Sequence, residues 1–203
     1  DYQANDKPIE RTFDENSIHL SAFDAKAKKV LKNLSLGVNM FVLSDNESKS
    51  DYLINSINYV MQDSESLDKG KLNSSNATLT VLEDIDSNKI ANTAKKLAED
   101  TSKTHIIVFN EDELVDKETK VDASGMGSWN PTEEFYNMVK NPPKNIKFIA
   151  LQQKETYYGD MKSPMISDMF SNFGDTSLPM LSPTQVKEAF KEQPILLKDI
   201  EKD

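Results

Sequence analysis

Four short apolar runs, each followed by a segment with helical periodicity, constrain the fold more than any other feature of this sequence. The runs lie at residues 38–43, 77–83, 104–110 and 145–151. Each has the length of a strand and is nearly continuous in apolar residues, which is typical of strands covered on both faces of a parallel sheet. The alternation predicts an α/β domain with a mainly parallel, four- or five-stranded sheet and helices on both of its faces.

The segments between the runs have apolar residues at helical spacing and recognisable ends. Ser21 predicts the start of the first helix, and Gly37 predicts its end. Later segments predict helices that begin near Ser48, Ser87 and Pro131. The face of the first helix that should point inward consists of Phe23, Ala27, Val30, Leu31 and Leu34.

The sequence divides into three parts by composition. Residues 1–17 are polar and read as an extended lead-in, residues 18–155 form the α/β domain, and residues 156–203 form a helical tail packed on the same domain. The tail is rich in Met and Phe, so we expect it to cover part of the sheet and to leave some apolar surface for a partner. The candidate partner-binding residues are Trp129, Tyr157, Tyr158, Met165, Met169 and Phe173.

Composition excludes several kinds of site. The formal net charge of -10 disfavours nucleic acid and anionic membrane surfaces, because phosphates would be repelled. The absence of Cys excludes disulfides, thiolate metal sites and a Cys nucleophile. A cysteine-free, lysine-rich chain fits a secreted protein of a Gram-positive bacterium, although it also fits many cytosolic proteins.

The beginning of the chain bears on its localisation. The sequence starts with Asp1 rather than Met, and no apolar run approaches the roughly 20 residues of a membrane span. We therefore expect an extracytoplasmic domain, at the cell surface or held at the membrane by a segment that lies outside this sequence.

Acidic residues follow three of the predicted strands. The carboxyl ends of parallel strands face the ligand crevice of an open sheet, and carboxylates there could hold Mg²⁺ or Ca²⁺. The candidate metal ligands are Asp45, Asp84, Asp86 and Asp112. A divalent-cation-dependent hydrolase or phosphatase is therefore one alternative function. The other interpretation is that these residues cap helices in exposed loops and that the protein binds no cofactor.

No segment predicts nucleotide binding or a catalytic centre. The stretch ASGMGSW (123–129) lacks both the G-x-x-x-x-G-K-[ST] of a phosphate loop and the G-x-S-x-G of a hydrolase elbow. It predicts a turn in which Trp129 anchors the loop or faces a partner. The two histidines, His19 and His105, read as ordinary polar residues, so the sequence offers no catalytic residue.

Residues 10–125 resemble the GldG-type auxiliary proteins of ABC transporters, and two segments carry the resemblance. RTFDENSIHLSAFDAKAKKVLKNLSLGVNMFVLSDNE (11–47) has the family's Arg-containing lead, Leu-Ser cap, lysine-rich helix and apolar strand. TLTVLEDIDSNKIANTAKKLAEDTSKTHIIVFNEDE (78–113) follows the same order, with Asp84-Ile85-Asp86 where the family has Asp-Pro-Asp. The resemblance implies a thioredoxin-like or flavodoxin-like extracytoplasmic domain.

That resemblance also implies a function. The domain would be non-enzymatic and would contact a protein partner, embedded in the membrane, that belongs to an ABC exporter. A surface binding or adhesion domain is a further alternative.

Overall fold

A six-stranded sheet is the centre of the computed structural model, which describes residues 8–45, 47–63, 71–153, 164–178, 182–185 and 187. Neighbouring strands of this sheet pair in parallel, except that Ile9–Glu10 pairs antiparallel with Ala77–Glu83. In order across the sheet, the strands are β1 (Ile9–Glu10), β3 (Ala77–Glu83), β4 (Thr104–Asn110), β7 (Ile146–Gln153), β2 (Met40–Ser44) and β8 (Gly174–Ser177).

The four central strands confirm the four predicted runs, to within two residues at each end. The prediction of four or five strands was too low, because each edge of the sheet gains a strand from outside the apolar runs. β1 comes from the lead-in and pairs antiparallel with β3. β8 comes from the tail and pairs with β2. Neither edge strand has the apolar pattern of a buried strand, so periodicity could not reveal them.

Helices cover both faces of the sheet. They are α1 (Asp24–Ser35), α2 (Glu47–Gln62), α3 (Ser87–Ala98), α4 (Glu111–Glu118), α5 (Glu133–Lys140) and α6 (Pro164–Met169). The apolar sides of α1 and α2 pack on one face, whereas those of α3, α5 and α6 pack on the other. Between α4 and α5 the chain forms an antiparallel hairpin of β5 (Thr119–Val121) and β6 (Gly127–Trp129).

The side chains of β4 show how one strand supplies two cores. Ile106 and Val108 join the cluster under α1 and α2, and Ile107 and Phe109 join the cluster under α3 and α5. All four are at most 1% exposed. Successive side chains of a strand point to opposite faces, so a strand covered on both faces must be apolar throughout.

Helix ends follow local chemistry, with two corrections to the predicted starts. Gly37, with a φ of 86°, ends α1, where Val38 N donates to Asn33 O at 3.0 Å in a Schellman arrangement. Ser21 begins a short 3₁₀ turn rather than α1, and Phe23 occupies the N-cap position of α1. α5 starts two residues beyond Pro131, because the Thr132 side chain caps Phe135 N.

Burial agrees with the predicted inward faces. Leu31, Leu34, Val42, Ile57, Val81, Ile107 and Phe148 are buried, and Leu97 is half-buried. Among the described residues, no helix is both long and apolar enough to cross a membrane.

Candidate functional site

A cleft of about 830 Å³ opens at the carboxyl ends of the four central strands. β2, β3, β4 and β7 each contribute their last residues to its wall, and α2 and α4 contribute their first turns. Ligands of open parallel sheets bind at this edge, because the loops there diverge and helix N-termini point towards it. The cleft is therefore where the fold places a functional site.

Arg11, the only arginine in the sequence, closes one side of the cleft. Its guanidinium contacts Asp51 of α2 at 3.0 Å and Glu83 of β3 at 2.9 Å, and its backbone N donates to Val81 O. A guanidinium can hold two carboxylates at once in fixed geometry. Arg11 therefore ties the lead-in to α2 and β3 and neutralises part of the acidic wall.

Asp84, which follows β3, is paired across the cleft with Lys117 of α4. Lys117 Nζ lies 3.1 Å from Asp84 Oδ1. The hydrogen bond from Lys117, and then the charges of Lys117 and Lys89, hold the pKa of the Asp84 carboxyl below its usual value. Asp84 also has a φ of 49°, in the left-handed region that Asp tolerates better than most residues. The side chain thus remains a carboxylate at neutral pH.

The start of α4 brings polar groups to the end of β4. The Asn110 side chain accepts a hydrogen bond from Glu113 N at 3.0 Å and caps the helix. Glu111 is fully buried, and Asp112 accepts a hydrogen bond from Gln153 N of β7 at 2.6 Å. Through these hydrogen bonds, polar groups at the ends of β4 and β7 hold α4 against the sheet.

The segment between β2 and α2 joins a strand to a helix, as a phosphate loop does, although its sequence did not predict one. Residues 43–50 read L-S-D-N-E-S-K-S against G-x-x-x-x-G-K-[ST], so Lys49 and Ser50 match but Leu43 and Ser48 replace both glycines. Leu43 is 1% exposed and belongs to the core of β2. The part of the motif that the sequence retains is the Lys49-Ser50 pair, at the start of a helix that follows an apolar strand. Because both glycines are missing, the motif was not recognised from the sequence.

Lys49 is paired within that same segment. Its Nζ lies 3.0 Å from Asp45 Oδ1 and 3.3 Å from Asp45 Oδ2. In a functional phosphate loop the equivalent Lys reaches the β- and γ-phosphates, and backbone N–H groups of the Gly-rich loop surround them. Here a carboxylate one helical turn earlier already neutralises the Lys.

The cleft as a whole is negative. Its lining contains six carboxylates and two cationic side chains, Arg11 and Lys117. The carboxylates are Asp51, Glu83, Asp84, Asp112, Glu113 and Asp116. An excess of charge of one sign in the lining of a cleft concentrates the electric field there. This cleft has an excess of carboxylates, so it repels anions, including phosphates, and attracts cations.

The four candidate metal ligands lie in different local structures. Asp45 pairs with Lys49, Asp84 pairs with Lys117, Asp86 caps α3 by accepting from Lys89 N, and Asp112 accepts from Gln153 N. The described part of the chain has no group of three or more His, Asp or Glu side chains placed to share a metal ion. A metal site built from these residues stays a prediction.

Most of the candidate partner-binding residues that the structure describes pack inside the molecule. Trp129 is 6% exposed and contacts Phe135 edge to face, and Met169 is 1% exposed. Met165 and Phe173 are half-buried. Tyr157 and Tyr158 lie outside the described residues, so their role stays a prediction.

Comparison with known proteins gives matches only among solved structures. No protein family and no curated protein matches the sequence. The structure of the Aeropyrum pernix ORC2 protein in ADPNP and ADP complexes aligns with a TM-score of 0.55 at 14% identity, over 88% of this chain and 55% of that one. A DNA polymerase III gamma subunit-related protein from Thermotoga maritima aligns over 90% of this chain and 55% of that one, at 13% identity, but its TM-score of 0.43 is too low to show a shared fold.

These findings correct the predicted family and function. The fold resembles that of the ORC2 protein, so the resemblance to GldG-type transporter auxiliaries was wrong, and so was the function of an extracytoplasmic transport domain that it implied. The description as an ABC transporter auxiliary fails with it, whereas the extracytoplasmic location stays a prediction. The resemblance depended on the order of helices and strands, which α/β domains of many families share. The chain spans about half the length of both matched proteins.

Proposed function

We propose that this chain is an AAA+-like domain with a degenerate nucleotide site, and that it serves as a non-hydrolysing part of a larger ATPase-type protein. The observation that carries the proposal is the segment at residues 43–50, which stands where the fold has a phosphate loop but lacks both of its glycines. The fold likeness to ORC2, over about half of that protein, supports a role beside further domains.

The replaced glycines argue against hydrolysis on steric grounds. Glycine lets the backbone of a phosphate loop approach the phosphates closely and adopt conformations that other residues avoid. Leu43 instead continues β2, where its backbone is paired with β7 and β8 on either side. The loop therefore begins later than the phosphate-binding motif requires.

Electrostatics argue in the same direction. A nucleoside triphosphate would bring its negative charges into a cleft whose lining carries four more carboxylates than cations. P-loop ATPases hold Mg²⁺ with the loop Ser or Thr and an Asp. At the end of β4 the cleft presents the amide of Asn110, which is already used as a helix cap.

Nucleotide binding without hydrolysis is the second candidate, and the Lys49-Ser50 pair favours it. Phosphate contacts need a cation and a hydroxyl at the start of α2, and both residue types are present there.

A titration with Mg-ADPNP and Mg-ATP separates the two candidates. We expect no phosphate release and no saturable binding below a Kd of about 1 mM, measured by calorimetry and thermal shift, because a bound ligand raises the melting temperature by mass action. Binding that is lost in Lys49→Ala but not in Lys147→Ala would establish the second candidate, and turnover of ATP would overturn the proposal. Lys147 is a half-buried lysine of β7, outside residues 43–50, and provides the matched control.

A further inference from the structure

Most residues of the β5–β6 hairpin are exposed. Every residue from 120 to 128 is exposed, and neither strand pairs with the main sheet. A short exposed hairpin of this kind would be flexible unless its turn and its base were both held.

The turn of the hairpin is held by Asp122. Its Oδ1 accepts hydrogen bonds from Ser124 N at 2.9 Å and Met126 N at 3.1 Å, and Gly125 takes a φ of 85° to complete the turn. The hydrogen bonds from Ser124 and Met126 keep the pKa of the Asp122 carboxyl below its usual value. The tip therefore has one defined shape before any partner binds.

The base of the hairpin is held by Glu118 at the end of α4. One carboxylate oxygen accepts from Ser87 Oγ at 2.7 Å and the other accepts from Trp129 Nε1 at 3.3 Å. Trp129 is buried beside Phe135. These contacts join the base of the hairpin to α3 and α5.

The tip of the hairpin carries two large apolar side chains that are mostly exposed. Val121 is 69% exposed and Met126 is 71% exposed, two of only five large hydrophobic side chains that are exposed in the described residues. Exposed apolar side chains on a preorganised projection are typical of interaction sites, because little conformational entropy is lost on binding.

Charge around the hairpin indicates what kind of surface it fits. Residues 119–129 contain one Lys and one Asp and are neutral overall. On either side in the chain, α4 exposes Glu113, Asp116 and Lys117, and α5 begins with the exposed Glu133 and Glu134. The segments that flank the hairpin therefore expose four carboxylates against one lysine, so a basic rim on the receiving surface would complement them.

We propose that the β5–β6 hairpin inserts Val121 and Met126 into an apolar pocket with a basic rim on a different protein domain. A second copy of this chain would fit poorly, because it carries the same net charge of -10 and its main cleft is acidic. The inference concerns a surface separate from residues 43–50 and does not depend on whether nucleotide binds there.

Site-specific photo-crosslinking tests the proposal in the organism that encodes the chain. A photoreactive amino acid replaces Met126 in one version of the full chain and Leu36 in the control version. Leu36 has the same exposure of 71% but lies at the end of α1. We expect an adduct at position 126 that is absent at position 36, with the crosslinked residue of the other protein in an apolar pocket bordered by Lys or Arg.

The protein captured in this way is then purified and its affinity for the full chain is measured. Met126→Asp should weaken binding at least about tenfold, Leu36→Asp should leave it unchanged, and added salt should weaken it. Unchanged melting temperatures would show that both variants fold. Absence of an adduct specific to position 126, an adduct to a second copy, or equal affinity for Met126→Asp and the unaltered chain would each overturn the proposal.

Discussion

Met169 and Met126 lie in opposite environments, one buried and one exposed. The same Met→Ala substitution at the two positions therefore measures the effect of burial on stability. Met169 in α6 is 1% exposed and packs in the cluster under α5 and α6, together with Phe41 and Phe170. Met126 at the hairpin tip is 71% exposed. The thioether side chain is the same in both, so only the surroundings decide how much it stabilises the fold.

Met169→Ala should lower the free energy of unfolding by about 2–5 kcal/mol, because it removes buried contacts and leaves a cavity. Met126→Ala should change it by less than about 0.5 kcal/mol, as surface substitutions usually do. Urea denaturation of both variants measures the difference. Equal effects at the two positions would show that α6 does not pack on the sheet as described.

The order of helix α6 depends on contacts with neighbouring elements, because a helix of only six residues is marginal by itself. Asp168 of α6 lies at the centre of them. Its carboxylate accepts hydrogen bonds from the Tyr136 hydroxyl and, at 2.9 Å, from Lys140 Nζ, both on α5. These bonds, with that from Tyr136 contributing most, lower the pKa of Asp168. The contact between α5 and α6 therefore has a defined pH dependence.

Protonation of Asp168 should weaken that contact. A carboxyl whose folded pKa lies below its unfolded value stabilises the fold above the unfolded pKa, about 3.9 for Asp, and loses this contribution as the pH falls through the folded pKa. Asp168→Asn should therefore destabilise the protein at pH 7, and the difference from the unaltered chain should shrink below about pH 4. Urea denaturation across pH 3–7 measures it, with the exposed Asp175→Asn as control. A difference independent of pH would show that Asp168 acts through packing alone.

For the molecule as a whole, the edges of the sheet come from the two ends of the chain. β1 lies in the lead-in and β8 lies in the tail. All strands other than β8 lie between residues 9 and 153, so the tail adds the last strand, β8, together with helix α6. Phe41 of β2 depends on this arrangement, since it packs edge to face on Phe170 at 4.8 Å and also contacts Phe173. Removing the tail would uncover both an edge and an aromatic cluster.

A chain that ends at residue 163 should melt at a lower temperature than one that ends at residue 178, which retains α6 and β8. It should also bind more of a dye specific for apolar surface, because Phe41 and the edge of β2 become accessible. Differential scanning fluorimetry and dye titration compare the two truncated chains directly. If they melt together, α6 and β8 contribute nothing to the stability of the sheet.

The sequence by itself determined the four central strands, the helices α1, α2, α3 and α5, and the faces of these elements that point inward, but not α4. Those features follow from local periodicity, because a strand or helix covered on a known face must repeat its apolar residues with the period of its backbone. The run at 104–110 is an example, since each of its apolar side chains is buried as the pattern required.

Only the tertiary structure decided the order of the strands, the two added edges and the composition of the cleft. β2 and β7 are paired although about a hundred residues separate them, and no local pattern encodes that contact. The same pairing brings the first turn of α2, with Ser50 and Asp51, to the wall of the cleft. Residues such as Arg11 and Asp51, forty positions apart, become one site because long-range packing brings the ends of the strands together.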